Sequence, residues 1–177
     1  MSNTFFSPIR SWCLPQGALP ESLQEMARDG IGGNEGIALW LGHRAQGQAE
    51  ITHVVGLRGP GVIKRPDFLR IEPWLLNDVT DLAIDLGVVL VGQVHTHGPG
   101  YGTDLSVTDR TYGIAVPFYI SVVAPDYGLR EGISITDCGV HVFEPGLGYR
   151  RLTIAEVERQ VQIVPGVRPP LLLVGEE

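Results

Sequence analysis

Thiol chemistry has little to work with in this chain: two cysteines occur in 177 residues. Cys13 and Cys138 fit no C-x-x-C or comparable spacing, so neither a cysteine-built metal site nor a redox pair is expected. A disulfide would be unusual in a cytosolic chain, and Cys138, within Thr136-Asp137-Cys138-Gly139, reads as a small turn or strand residue. No apolar run approaches the roughly 20 residues of a membrane span, and the start of the chain lacks the charged-then-apolar pattern of a secretory signal. These absences predict a cytoplasmic protein with no membrane partner. Positive charge is also scarce. Thirteen Lys and Arg stand against 20 Asp and Glu, a net charge of −7, which argues against nucleic acid as a partner and is compatible with a basic protein. No internal repeat is visible.

What is present describes a globular domain, with 44% apolar and 19% charged residues in a length that supports one proper core. Residues 1–14 carry Phe5, Phe6, Ile9, Trp12 and Leu14 with little periodicity and read as an N-terminal arm, extended or packed as an edge strand. Residues 15–162 form the domain, and 163–177 read as a mobile or partner-docked tail. Pro20 is expected to open a first helix that Gly30 ends. Glu35 opens a strand to about Leu41, and Ala49–Leu57 returns as a second, holding an exposed His53. Pro73 starts the clearest helix, with Leu75, Val79, Leu82 and Leu86 at helical spacing and Asn77, Asp78, Asp81 and Asp85 facing water. Strands follow at Val88–Val94 and Phe118–Val123. Ile133–Asp137 and Gly139–Phe143 suggest a hairpin, with His141 between two valines. Thr153-Ile154-Ala155-Glu156 is a capping box that opens a last helix. The order of elements predicts an α/β fold with a mixed central sheet.

The chemistry concentrates in one stretch. Val88-Val89-Leu90-Val91-Gly92-Gln93-Val94 reads as a buried strand and runs into His95-Thr96-His97. Residues two apart on a strand share a face, so His95 and His97 aim at one spot, where two imidazoles can hold a single metal ion. Gly98-Pro99-Gly100-Tyr101-Gly102 turns the chain and brings back Ser106 and Asp109. Asp109 supplies a third, anionic ligand. Two His and a carboxylate leave a four-coordinate zinc with one open position, the layout of a catalytic site. Ser106-x-x-Asp109 also fits a helix N-cap with its acid at the third position, and the two roles are compatible, since the cap would rigidify the turn that carries Asp109.

His-x-His, eight residues, then Ser-x-x-Asp resembles the signature of the JAMM metalloproteases, the Mov34/MPN/PAD-1 (JAB) family. The family's upstream Glu at a strand start is matched by Glu35 in Asn34-Glu35-Gly36-Ile37-Ala38-Leu39-Trp40-Leu41. The likeness covers roughly residues 15–150. Family members often carry Ser between the two His and Pro directly after the second; here these are Thr96 and Gly98, with Pro99 one place on. The resemblance implies a partly barrel-like mixed sheet flanked by helices, and one catalytic Zn²⁺ held by His95, His97 and Asp109. It also implies hydrolysis of a peptide or isopeptide bond after the C-terminal Gly of a ubiquitin-like or sulfur-carrier protein. Given zinc, which activates a water and polarises a carbonyl, Glu35 is the candidate general acid/base and the Ser106 hydroxyl the candidate oxyanion donor. Other classes compete. A mononuclear iron oxygenase also uses two His and a carboxylate, normally with a further ligand such as His141. A barrel amidohydrolase uses His-x-His but needs about 250 residues. A non-catalytic MPN scaffold would lack ligands that are present here.

Overall fold

The computed structural model describes residues 7–175. Among these residues, four α-helices, α1 (Ala18–Ile31), α2 (Pro73–Leu86), α3 (Val107–Tyr112) and α4 (Ile154–Gln160), accompany eleven strands. The first strands are β1 (Ser11–Pro15), β2 (Ile37–Ala45), β3 (Gln48–Leu57), β4 (Val62–Arg65) and β5 (Phe68–Ile71). They are followed by β6 (Val89–Thr96), β7 (Ile120–Ala124), β8 (Gly139–Glu144), β9 (Gly148–Arg151), β10 (Val161–Val164) and β11 (Leu171–Val174). Nine strands form one sheet in the order β10-β1-β3-β2-β6-β7-β8-β9, with β11 also on β3, while β4 and β5 make a separate hairpin. The sheet is mixed: β6–β7, β1–β3, β1–β10 and β11–β3 run parallel, and the other pairs antiparallel. The fold is α/β, as expected. Among the described residues, no helix is long and apolar enough to cross a membrane.

Both faces of the central strands are covered, which is why β2 reads as an unbroken apolar run. Ala38 and Trp40 join Leu19, Leu23 and Met26 of α1 on one side. Ile37, Leu39 and Leu41 join Leu75, Val79 and Ala83 of α2 on the other. Trp40 donates its indole N–H to Ser22 Oγ at 2.9 Å, and Ser22 donates to Ala18 O at 2.7 Å, so the one polar group of a fully buried ring is satisfied. α2 follows its sequence signals: Pro73 lies in the first turn and Gly87 closes the helix at φ 68°. Its buried stripe ends on Ala83, and Leu86 is exposed.

Several expectations need correction. The segment read as an arm supplies β1, which lies inside the sheet between β10 and β3 rather than at an edge; Phe5 and Phe6 fall outside the described residues. The segment read as a mobile or partner-docked tail supplies β11, paired in parallel with β3 from Leu171↔Val54 to Val174↔Leu57. α1 begins at Ala18, before Pro20, and passes through Gly30 to Ile31. Gly30 is needed for space: a Cβ there would lie 2.7 Å from Tyr127 O. Ile135–Asp137 is a single 3₁₀ turn capped by Ser134, so the last hairpin is β8–β9. His53 is half-buried, with Nδ1 2.8 Å from Thr52 Oγ1.

His141 on β8 is wholly buried, and neither ring nitrogen has a hydrogen-bond partner among the described residues. Asp104 Oδ1 stands 3.7 Å from Nε2. Burial pushes the imidazole down from 6.5 to about 4, so the unfolded chain takes up this proton first as pH falls. Stability is complete above about pH 6.5 and is lost towards pH 4. Between pH 7 and pH 5 the loss assigned to His141 is about 2 kcal/mol, at roughly 1.4 kcal/mol per unit. Urea unfolding at the two pH values, repeated on His141→Gln, checks this. An equal acid loss in the variant would assign it to other groups.

Candidate metal centre

A parallel β6–β7 pair needs a crossover, and the segment between these strands carries the site, at the C-terminal end of β6. His95 is the seventh residue of β6 and pairs with Ile37 of β2. The same antiparallel register, continued past the strand end, sets Glu35 opposite His97. Two hydrogen bonds fix that continuation: Thr96 N donates to Gly36 O at 3.1 Å, and Gly36 N to Thr96 Oγ1 at 2.9 Å. β2 itself begins at Ile37, two residues beyond Glu35, and the Glu35 N–H donates to Arg65 O of β4 at 2.9 Å. Strand alternation therefore puts Glu35, Ile37, His95 and His97 on one face, the face that α2 covers.

Asp109 reaches this face from α3. Ser106 caps the helix: its Oγ accepts from Asp109 N at 3.0 Å, while Asp109 Oδ2 accepts from Ser106 N at 2.7 Å. The cap and the candidate ligand are thus one device. His95 Nε2 lies 3.3 Å from His97 Nε2 and 3.5 Å from Asp109 Oδ1, and His97 Nε2 lies 3.2 Å from Asp109 Oδ2. One ligand atom from each of the three lies within 4.8 Å of the others. His97 Nδ1 is 3.1 Å from Gly102 O, so that nitrogen carries a proton and Nε2 is the atom that faces the centre. Two imidazole nitrogens and a carboxylate oxygen, converging on the C-terminal end of a strand, fit a divalent cation such as zinc. His141 is not part of the cluster.

The electrostatics match such a role. Burial pushes the Asp109 carboxyl upward, but hydrogen bonds with His95 and His97 and the Ser106 N–H hold it well below the usual carboxylate range. His97 is lowered by burial and raised more by Asp109 and Glu35, for a net upward shift. Glu35 is 6% exposed. Burial pushes it up to about 7, against the opposing pull of His97 and with help from Asp109 and Asp67. No hydrogen bond to its carboxylate is found among the described residues, which leaves it free to take a proton.

A cleft of about 330 Å³ opens beside His95 and Asp109, walled by Ile37, Leu69, Ile71, Leu76 and Ile114 with Tyr112 at its side. A larger cavity, about 520 Å³, lies at Gly42–Ala45 and Gly87–Val89, away from these side chains; the chemistry favours the smaller one. The loop after His97 is shaped by Tyr127, which the sequence did not single out. Its ring would stand 2.7 Å from a Cβ at position 98, so a side chain there, proline included, would require the Tyr127 ring to move. Tyr127 holds φ 52° and donates its hydroxyl to Pro66 O at 3.1 Å, bridging the loop to the β4–β5 turn. Gln93 is a second residue that sequence reasoning missed; an amide inside an apolar strand was the available signal, since a buried polar group needs partners.

No family model and no curated protein matches the chain. Among solved structures, the solution structure of protein DSY2949 from Desulfitobacterium hafniense is similar: 15% identical, TM-score 0.62, over 89% of this chain and 94% of that one. The two share the fold.

Proposed function

We propose that this chain is a zinc-dependent peptidase of the JAMM/MPN+ type, with an MPN/JAB-like fold, that cuts after the C-terminal Gly of a ubiquitin-like or sulfur-carrier protein. The observation that carries the reading is the convergence of His95, His97 and Asp109 within 4.8 Å, with a buried Glu35 across from His97. Zinc at this site would supply a Lewis acid that activates a water and polarises the scissile carbonyl. Glu35 then accepts a proton from the attacking water on its carboxylate and delivers it to the leaving nitrogen. Water is consumed across the C–N bond, leaving a carboxylate and a free amine. The Ser106 Oγ, already accepting from Asp109 N, keeps its own proton free for a developing oxyanion.

Shape supports the proposed substrate class. β5 pairs only with β4 among the described residues, so its second edge offers backbone groups to an extended chain beside the cleft. A Gly-ended tail is extended and narrow, which suits a cleft of about 330 Å³ beside His95 and Asp109. Incubating the zinc-loaded protein with a ubiquitin-like protein extended beyond its terminal Gly, followed by mass spectrometry, tests this. The expected product ends at that Gly. Cleavage elsewhere, or none with zinc bound, would point to another amide substrate.

A further inference from the structure

Behind His95 lies a buried polar network that the proposed chemistry does not use. Gln93 and Ser121 are register partners on β6 and β7, and Tyr119 precedes β7. All three are buried, at 7%, 1% and 1% exposure. Gln93 Nε2 donates to Ser121 Oγ at 3.1 Å and stands 3.5 Å from His95 Nδ1, while Gln93 Oε1 accepts from the Tyr119 hydroxyl at 3.1 Å. With the amide nitrogen facing it, Nδ1 of a neutral ring accepts, and the ring proton then sits on Nε2. That proton points towards Asp109 Oδ1, 3.5 Å away. This tautomer suits the metal-free cluster and opposes metal binding, which needs the Nε2 lone pair.

We propose that Gln93 is the positioning residue for His95, and that its side-chain amide turns by 180° between the metal-free and metal-holding states. Turned, the amide offers Oε1 to a proton on His95 Nδ1 and to the Ser121 hydroxyl, and donates its NH₂ to the Tyr119 oxygen. Tyr and Ser hydroxyls can each donate or accept, so the network tolerates both settings; a buried carboxylate or lysine in place of the amide would permit one only. The turn leaves the ring's proton count at one and moves it from Nε2 to Nδ1. Burial makes the arrangement specific, because an unmatched donor at this depth is left without water or partner.

This inference rests on the metal reading of the site but not on peptidase activity, and its test needs no substrate. Long-range ¹⁵N–¹H spectra of the histidines are expected to show His95 protonated at Nε2 in the metal-free protein and at Nδ1 with zinc, while His97 keeps its Nδ1 proton in both. Gln93→Leu is expected to weaken zinc affinity about 10- to 100-fold, the usual loss when such a partner of a metal-bound His is removed, and to shift the visible bands of the cobalt-substituted protein. Gln93→Glu, which can only accept, is expected to bind zinc at least as tightly as wild type. Wild-type affinity in Gln93→Leu, or Nδ1 protonation of His95 before zinc is added, would overturn the proposal while leaving the metal site intact. A wild-type protein that takes up no zinc would remove both. The wild-type spectra decide the tautomer even if Gln93→Leu fails to fold.

Discussion

Replacing His97 with alanine is expected to strip the protein of zinc and of hydrolysis together while the fold stands. Three protein ligands are the fewest that hold a catalytic zinc with one position open, and His97 contacts both of the others, at 3.3 Å to His95 and 3.2 Å to Asp109. Its loss also frees Gly102 O, the anchor of the loop that carries the chain to α3. The helix itself survives, because Asp109 still accepts from Ser106 N and donates its own N–H to Ser106 Oγ. Metal content after dialysis is expected to fall from about one equivalent to a trace, with the circular dichroism spectrum unchanged. Full zinc occupancy in His97→Ala would sink the ligand assignment. Iron instead of zinc in the wild type would favour an oxygenase, and no metal at all a scaffold.

How much of this could be read from the residues depends on how local each signal was. The His-x-His pair and the Ser106 cap are written within a few residues and appear where their spacing put them, while the α2 stripe holds at Leu75 and Val79 but leaves Leu86 exposed. Ser134-Ile135-Thr136-Asp137 carries the same S-x-x-D cap as Ser106–Asp109, yet its apolar Ile133 and Ile135 suggested a strand; the cap was the better guide. The sheet's outer parallel strands were the hardest to place. Leu171–Val174 pairs with Val54–Leu57, and Trp12–Pro15 with Val161–Val164. Four apolar residues without period two or 3.6 say nothing about a partner more than a hundred residues away. The geometry of Glu35 falls between these cases. A strand start was visible, but its place across from His97 depends on the register of two strands, set by Gly36 and Thr96. Gly98 looked like loop composition and proves to sit against the Tyr127 ring, a relation that no spacing encodes.

Glu35→Gln separates proton transfer from metal holding, and its effects run in opposite directions on activity and stability. The amide keeps the size and the buried setting of the acid but cannot take a proton from water, so hydrolysis is expected to fall by at least about 10²-fold, the lower range for a positioned acid/base. Zinc content is expected to stay at wild-type level, because Glu35 lies outside the three-residue cluster. The stability argument concerns the metal-free protein. Burial raises Glu35 from 4.5 to about 7, so between those values the folded state holds a proton that the unfolded chain has released. The folded state is therefore favoured below pH 4.5 and loses that advantage as pH rises to about 7. Above pH 7 the wild type carries a buried carboxylate that costs about 1–3 kcal/mol, and the amide does not. Metal-free Glu35→Gln is thus expected to be more stable than metal-free wild type at pH 8 and close to it at pH 4.5, a pattern typical of residues kept for chemistry rather than for the fold. Urea unfolding of both proteins in chelator at the two pH values, beside turnover with zinc, provides the check. Wild-type turnover in the variant would leave the site without its general base, and equal stability at pH 8 would mean that Glu35 is solvated rather than buried against Asp109 and Asp67.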